Sequence, residues 1–228
     1  MKKPQVDYRK FKLTNINSPE FSHLKLLLGW VGYFALFFLT ERFIKREACY
    51  VIHSPLDDLI PFCEVFVIPY VLWYLLIVLS LGYFLVYNVD SFKRLQKFII
   101  ITQIVAMAVY IIFPNMQPLR PTEFARDNIF TDVVGFLYTI DTNTNVCPSL
   151  HVAYSIAIAS VWVKEKGISP WFKAFIVLFV ISVCLSTVFI KQHSVIDGFA
   201  AIPLCILGEI IIYGKDYWPP KFKRTKNC

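Results

Sequence analysis

The feature that most constrains this chain is the uncharged apolar stretch at residues 65–86. A helix of about 20 apolar residues is what crosses the roughly 30 Å hydrocarbon core of a bilayer. The whole chain follows the same trend, because 57% of its 228 residues are hydrophobic and only 17% are charged. Soluble domains carry about 25% charged residues, which cover their surface. The sequence therefore predicts an integral membrane protein.

Further apolar segments alternate with polar ones along the chain. The six predicted spans are residues 24–40, 62–87, 98–114, 146–163, 171–190 and 195–214. Each is predicted to be a helix, because a single segment in lipid must satisfy its own backbone hydrogen bonds. Segment 146–163 is the weakest of the six, since three serines and a histidine interrupt it. The predicted fold class is all-α, a bundle of six transmembrane helices.

The distribution of basic residues predicts the orientation of these spans. With the N-terminus inside, 17 of the 23 Lys and Arg residues fall on the cytoplasmic side. Cytoplasmic loops carry such an excess, so both termini are predicted to be cytoplasmic. The predicted organisation is a cytoplasmic N-terminal segment at 1–23, a membrane catalytic domain at 24–214 and a basic cytoplasmic tail at 215–228. We expect a multi-pass protein of the cell membrane.

A net charge of +7 could also indicate nucleic-acid binding. A nucleic-acid-binding protein collects its basic residues on one folded face. Here they lie at the termini and between apolar segments, as expected for contact with anionic lipid headgroups. The predicted partners are therefore the bilayer and a phospholipid or lipid phosphate, without nucleic acid. The sequence predicts no particular oligomeric state.

Six cysteines raise the question of a disulfide framework. Cys184 and Cys205 lie inside apolar segments, which argues against pairing. Cys49, Cys63 and Cys147 fall on the predicted extracytoplasmic side, and one disulfide bond between two of them is an alternative that the sequence leaves open. The favoured alternative is that they are unpaired and act as small apolar residues.

Three short polar motifs interrupt the apolar pattern near the ends of predicted spans. They are Gln-Pro-Leu-Arg-Pro at 117–121, Cys-Pro-Ser-Leu-His-Val at 147–152 and Lys-Gln-His-Ser-Val-Ile-Asp at 191–197. All three fall on the predicted extracytoplasmic side, at one depth. The segment at 115–145 is also longer than a usual structureless connection, so we expect it to be functional or locally folded. Polar groups next to hydrocarbon are costly, so their convergence predicts a functional site.

The histidines and the aspartate of these motifs fit nucleophilic and acid–base chemistry. His193 and Asp197 are four residues apart, which places them on one face of a helix. The carboxylate can accept the Nδ1–H of the imidazole and leave Nε2 free to attack. His151 can give or take a proton. The predicted catalytic residues are His193, Asp197 and His151.

The remaining polar residues fit the binding of a phosphate group. Arg120 offers a planar fork for phosphate oxygens, and Lys191 adds a second positive charge. Pro148 suits the first turn of a helix, where Ser149 and the following N–H groups can face an anion. Arg120, Ser149 and Lys191 are therefore the predicted phosphate-binding residues.

Each residue also has an ordinary structural interpretation when it is taken alone. His151 could be a hydrogen-bonded core histidine, Asp197 a helix cap and Arg120 an interfacial anchor. Lys191 could extend along the span end towards water. A metal site of two histidines and one aspartate is a competing interpretation. It leaves the two cations unexplained and would place them beside another cation, so no metal is predicted.

The three motifs resemble the signatures of the phosphatidic acid phosphatase type 2 superfamily. The matching elements are Arg-Pro at 120–121, Pro-Ser-x-His at 148–151 and His-x-x-x-Asp at 193–197, within about residues 55–215. The resemblance implies a six-span enzyme that needs no metal and no cofactor. It assigns His193 as the nucleophile that forms a phosphohistidine, Asp197 as its partner, His151 as the general acid, and Arg120 and Ser149 as phosphate ligands.

Two positions differ from the family pattern. The family has a Lys seven residues before the Arg of the first motif and an Arg six residues before the His of the third motif, where this chain has Phe113 and Thr187. Lys191 would substitute for one missing charge. The Pro-Ser-Leu-His sequence and Leu-Asp-Asp-Leu-Ile-Pro-Phe at 56–62 resemble the branch of inositol phosphorylceramide and sphingomyelin synthases.

The expected function is hydrolysis of a lipid phosphomonoester or pyrophosphate at the outer leaflet. One alternative is transfer of a phosphorylated headgroup from one lipid to the hydroxyl of another. A second alternative, from a different class, is a transporter or binding protein that uses the same pocket for an anionic lipid without breaking a bond.

Overall fold

The computed structural model describes residues 3–218 and is predominantly helical. The first two residues and positions 219–228 of the predicted cytoplasmic tail lie outside that range. Within it, the α-helices are α1 Leu28–Phe43, α2 Pro55–Leu59, α3 Val67–Tyr87, α4 Val89–Ile112, α5 Ile129–Ile140, α6 Leu150–Lys164, α7 Pro170–Phe189 and α8 Val195–Tyr217. Two short strands, β1 at Tyr50–Val51 and β2 at Asn115–Met116, pair in parallel. The all-α prediction is confirmed.

Several helices begin at residues whose side chains cap them. Ser169 accepts a hydrogen bond from the N–H of Phe172 at the start of α7, where Pro170 occupies the first helical position. Ser194 and Asp197 form a reciprocal capping box at the start of α8. The polar residues that delimit the apolar segments therefore also fix where the helices start.

Five helices are long and apolar enough to cross a membrane, in some cases with a preceding 3₁₀ turn. They cover Ser22–Phe43, Glu64–Tyr87, Val89–Ile112, Pro170–Phe189 and Val195–Tyr217. These five correspond to five of the six predicted segments and are consistent with a multi-pass integral membrane protein. Large apolar side chains such as Leu178 and Val78 point outwards, more than 60% exposed, as expected for a surface that faces lipid tails.

The segment predicted as the fourth span forms the shorter helix α6, which has 15 residues. It starts at Leu150 and not at position 146, because Ser149 has extended backbone dihedrals and caps the helix. The backbone before the cap is bonded to Asn115, whose Oδ1 accepts hydrogen bonds from the N–H groups of Val146 (2.9 Å) and Cys147 (2.8 Å).

Helix α6 forms the centre of the bundle and packs against α3, α4, α7 and α8. Close approach of α8 and α4 depends on Gly208, where an added Cβ atom would overlap the ring of Phe98. Helix α1 lies at the periphery and packs on α4. The bundle thus has a tightly packed centre and one peripheral helix, α1.

The two ends of this bundle differ in their polar groups. At one end, which we call the site end, the three polar motifs lie together. The first of them belongs to the connection between α4 and α6, which also contains helix α5. The expectation that 115–145 is locally folded is confirmed by α5. At the other end, which we call the opposite end, ion pairs join Arg94 to Asp216 and Lys164 to Glu209, each at 2.6 Å.

Candidate active site

Hydrogen bonds connect the three polar motifs directly. The Gln117 Nε2 donates to the carbonyl oxygens of Lys191 (2.9 Å) and Gln192 (3.0 Å), which joins the first motif to the third. The backbone N–H of Ser149 donates to the carbonyl oxygen of Asp197 (2.9 Å), which joins the second motif to the third. Residues separated by 48 to 75 positions in sequence therefore form one contiguous polar region.

The centre of this region is a chain of hydrogen bonds through two imidazoles. The Nδ1 of His193 lies 3.1 Å from the Oδ2 of Asp197, and its Nε2 lies 3.2 Å from the Nδ1 of His151. The Asp197 Oδ2 also accepts the backbone N–H of Ser194 (2.9 Å). A carboxylate that accepts two donors fixes the proton of His193 on Nδ1. Its Nε2 then carries a lone pair, and the Nδ1 of His151 is the donor in the second bond.

Burial and aromatic contacts hold the two imidazoles in place. Asp197 is completely buried and His193 is only 7% exposed. The His151 ring packs against the rings of Trp73 and Tyr70, with centroid distances of 4.1 Å and 4.6 Å. Among the residues that the structure describes, no group forms a hydrogen bond with the buried Nε2 of His151. A buried polar atom without a partner is uncommon and marks a place where a ligand group can bind.

Ser149 is the N-cap of α6 and is completely buried. Its Oγ accepts the N–H of Val152 at 3.4 Å, so the hydroxyl itself occupies the end of the helix that was predicted to face an anion. Pro148 precedes the cap and does not lie in the first turn, contrary to the prediction, because Ser149 takes the capping position. The carbonyl oxygen of Pro148 accepts a hydrogen bond from the hydroxyl of Tyr110 (2.7 Å).

Arg120 adjoins the histidines through Gln192. Its Nη2 donates to the Gln192 Oε1 and to the carbonyl oxygen of Asp141, both at 2.5 Å, and its Nη1 donates to the carbonyl oxygen of Tyr138 (3.0 Å). The guanidinium also lies 4.4 Å from the centre of the Tyr138 ring. Burial lowers the pKa of the guanidinium from its usual value. These bonds orient the loop and leave the buried Nε without a described partner.

Lys191 faces away from the histidines. Its Nζ donates to the carbonyl oxygens of Asp57 (2.7 Å) and Ile60 (2.5 Å), and partial burial lowers the pKa of this ammonium group. Its backbone adopts the left-handed region with φ of 55°. The resulting turn lets the N–H groups of Gln192 and His193 both bond to the carbonyl oxygen of Thr187 (2.9 Å each). In this structure Lys191 connects α2 to the turn that carries His193.

Asp57 is an important residue that the motif analysis did not single out. Its side chain is buried and accepts hydrogen bonds from the Ser194 Oγ (2.6 Å) and the Val195 N–H (2.8 Å) at the start of α8. It also accepts the N–H of Ser54 (2.8 Å) as part of a capping box on α2. The Ser-Pro-Leu-Asp sequence indicates such a box. It contains no signal that the same carboxylate reaches α8.

A cavity of about 560 Å³ opens beside the histidines. His151, His193 and Gln192 line it, and its polar end also includes Asp141, Thr142, Thr144 and Asn145. Aromatic and aliphatic side chains of α1 and α3 form most of the remaining wall. Within residues 3–218, no Lys or Arg side chain belongs to the lining. The cavity therefore places two imidazoles between a small polar region and a large apolar one.

The part of the chain that the structure describes contains no preformed metal site and no disulfide bond. No group of three or more His, Cys, Asp or Glu side chains there has an arrangement suited to a metal ion. Cys49, Cys63 and Cys147 are free thiols.

Comparisons with known proteins identify no relative of this chain. No protein-family model, no curated protein and no solved structure matches the chain. The resemblance of residues 120–121, 148–151 and 193–197 to the phosphatase superfamily stays a prediction. The structure contributes an independent observation, which is that the longer polar motifs containing these residues, 117–121, 147–152 and 191–197, are in contact.

Proposed function

We propose that this protein is a membrane enzyme that cleaves the phosphoester bond of a lipid through a phosphohistidine on His193. The observation that supports the proposal is the hydrogen-bonded series Asp197–His193–His151 at the wall of an apolar cavity. A base oriented by a carboxylate, with a second proton-transfer group in contact, is the arrangement that covalent phosphoryl transfer requires. The apolar walls suit a lipid substrate.

In the first step, the Nε2 of His193 attacks phosphorus and the bond from phosphorus to the lipid oxygen breaks. His151, protonated beforehand, gives a proton to the departing oxygen, so a lipid alcohol leaves. Asp197 stabilises the positive charge that His193 acquires. Because the Nδ1 of His151 contacts the attacking nitrogen at 3.2 Å, the phosphate must replace this hydrogen bond as it binds.

In the second step, the neutral His151 removes a proton from water, which attacks phosphorus and breaks its bond to His193. Inorganic phosphate leaves, and both histidines return to their first state. No metal and no cofactor enter this scheme. Arg120, Ser149 and Lys191 remain the proposed phosphate ligands, and the two cations would have to exchange carbonyl oxygens for phosphate oxygens.

One observation favours transfer to a second lipid as the alternative outcome. Among the described residues, the cavity lining contains no Lys or Arg. A doubly charged phosphomonoester needs cationic groups, whereas a singly charged phosphodiester is better matched to a lining of imidazole, hydroxyl and amide groups. The acceptor would then be the hydroxyl of another lipid, deprotonated by the neutral His151.

We further propose that α6 is a sixth span, that both termini are cytoplasmic and that the site faces the extracytoplasmic side. The excess of basic residues in the segments predicted to be cytoplasmic supports this orientation. The 15 residues of α6 measure about 22 Å, and the non-helical residues 146–149 that precede it supply the remaining depth. Non-helical backbone at membrane depth is tolerated where surrounding protein buries it.

The test is product analysis with the purified protein in liposomes. Phosphatidic acid and phosphatidylinositol, each labelled with ³²P, are supplied with a lipid alcohol, and the products are separated by thin-layer chromatography. Released inorganic phosphate indicates a phosphatase, and a second labelled lipid indicates a transferase. We expect His193→Ala to reduce either activity by about 10³-fold or more.

A matched control is His53→Ala, which removes a histidine paired with the exposed Asp58 and should leave turnover unchanged. Full activity of the His193→Ala protein would contradict the proposed nucleophile. Vanadate-insensitive movement of intact lipid, without either product, would favour the transporter alternative.

A further inference from the structure

We propose that the cavity between α1 and α3 is a binding site for one hydrocarbon chain of a membrane lipid, and that Trp30 forms its floor. The proposal rests on the proposed function in one respect, namely that the polar group of the lipid lies at the histidines. It adds where the chain enters, which residues contact it and which residue limits its depth.

The two walls of the cavity are matching faces of neighbouring helices. On α1 the lining residues recur at three- and four-residue intervals, at Trp30, Tyr33, Phe34, Phe37 and Phe38. On α3 they recur in the same way, at Trp73, Tyr74, Ile77, Val78 and Leu81. This spacing places each set on one face of its helix. The space between the helices is therefore an apolar slot that runs along both of them.

The slot is open towards the side of the bundle. Helix α1 packs on α4, so its aromatic face is separated from α3 by the cavity. Phe34, Phe38 and Val78 belong to the lining and are 48%, 67% and 66% exposed. In a membrane these rim residues contact lipid tails. A chain can therefore enter sideways from the bilayer without crossing a polar region.

The polarity of the lining changes from one end to the other, as in an amphiphile. Carboxylate, hydroxyl and amide groups lie at the site end, next to His151 and His193. Between the level of Trp73 and that of Leu81 the α3 wall is apolar apart from Tyr74, over about 12 Å at 1.5 Å per residue. A single hydrocarbon chain with a polar group at one end has this distribution.

Trp30 closes the slot at the end away from the histidines. Its indole Nε1 donates to the Gln96 Oε1 on α4 (3.1 Å), and its ring packs edge-on against Tyr154 on α6 at 5.6 Å. A partly buried indole whose N–H is satisfied and whose ring has an aromatic neighbour is held in position. Trp30 is therefore a rigid floor that determines how far a chain can extend.

Helix α1 is also fastened at the site end of the slot. Glu41 accepts hydrogen bonds from Thr142 (2.8 Å), Thr144 (2.7 Å) and Asn145 (2.5 Å), three residues that line the polar end of the cavity. With Trp30 bound to Gln96 at the other end, α1 is held at both ends of the slot. This arrangement keeps the two walls apart and preserves the opening between them.

The experiment uses photolabelling, which needs no catalysis. Liposomes contain phosphatidic acid with a diazirine at a defined carbon of one acyl chain, and cross-linked peptides are identified by mass spectrometry. A diazirine near the headgroup should label the level of Phe37 and Trp73, and one in mid-chain the level of Trp30 and Leu81. Leu81→Trp should abolish the mid-chain labelling, because the larger side chain fills the slot.

Trp30→Ala should shift mid-chain labels past residue 30 towards Leu26, whereas Trp30→Phe, which keeps most of the ring, should retain the original labels. Trp171→Ala is the matched control, since this tryptophan is 86% exposed on another helix. If Trp30→Ala fails to fold, Leu81→Trp and Trp30→Phe still decide the question. Labels spread evenly over all outward faces, and unaffected by Leu81→Trp, would overturn the proposal, as would cross-links to a second protein chain in the slot.

The His193→Ala protein separates this inference from the proposed function. It should retain the wild-type labels, because binding of the chain does not depend on the nucleophile. Retained labels without turnover of any lipid by the wild-type protein would contradict the enzyme and leave the chain site intact. Lipid turnover with labels outside the slot would contradict the chain site alone.

Discussion

The charged residues that hold the site segments together form different bonds from the ion pairs that join helices at the opposite end. At the opposite end, side chains of opposite sign pair across helices, as in Arg94–Asp216 and Lys164–Glu209. At the site end, Arg120 and Lys191 donate to backbone carbonyls, and Asp57 accepts from a hydroxyl and backbone amides. Partly exposed ion pairs contribute about 0–1 kcal/mol each and tolerate movement. Directed bonds to the backbone fix the position of one segment relative to another, as a catalytic site requires.

This difference implies that substitutions at the site end should reduce activity, at Asp57 together with stability, and that those at the opposite end should leave activity unchanged.

Asp197→Asn should reduce turnover by about 10³–10⁴-fold. An amide can donate its N–H to the Nδ1 of His193, which would move the imidazole proton to Nε2 and remove the attacking lone pair. The measurement is initial rate at saturating labelled lipid, with Asp216→Asn at the opposite end as the control. A rate within twofold of the wild type would show that the carboxylate does not orient the nucleophile.

His151→Gln should reduce turnover by about 10²–10³-fold, because the leaving oxygen then lacks a proton donor. In the first turnover, a substrate with a good leaving group, such as p-nitrophenyl phosphate, needs less protonation and should recover much of the loss. The measurement compares the rates at which the two substrates release their leaving groups in a single turnover, before the second step in which His151 acts as a base, and His53→Gln is the control. An equal loss on both substrates would exclude the general-acid role.

Asp57→Asn should lower turnover by about tenfold and destabilise the fold by about 1.5–3 kcal/mol, since it weakens charge-assisted bonds to the start of α8. The neighbouring Asp58→Asn is the control, because that carboxylate is exposed and contacts His53. Thermal unfolding and kinetics are measured on the same samples. Unchanged kinetics in both variants would assign Asp57 to folding alone.

Glu209→Gln at the opposite end should have the smallest effect, with a loss of at most about 1 kcal/mol and no change in turnover. The amide keeps the acceptor oxygen that Ser160 uses, at 2.6 Å in the native protein. A double-mutant cycle with Lys164→Met measures the coupling between the pair. A large loss of activity in the Glu209→Gln protein would contradict the proposed difference between the two ends.

Much of the architecture can be predicted from local sequence. Five of the six predicted spans correspond to helices long enough to cross a membrane, because apolar length is a property of one segment. The contact of His193 with Asp197 follows from their four-residue spacing on α8. That His151 joins them follows from the alternation of the loops, which brings motifs of the same parity to one end.

Features that depend on contacts between distant segments could not be predicted in this way. The Lys191 side chain is held by the carbonyl oxygens of Asp57 and Ile60, in α2 and just after it, more than 130 residues earlier in the sequence. The backbone before α6 is bonded to Asn115, and the start of α8 is supported by Asp57. None of these partners leaves a periodic or motif signal, because each bond joins single residues from segments with unrelated local patterns.

The most direct test of the central claim is to trap the covalent intermediate. The purified protein is mixed rapidly with ³²P-labelled phosphatidic acid or phosphatidylinositol, quenched in alkali, digested and analysed for labelled peptides. The account predicts an alkali-stable, acid-labile label on the peptide that contains His193, present in the His53→Ala protein and absent in the His193→Ala protein. Product formation with no label on His193, or with the label on another residue, would contradict it.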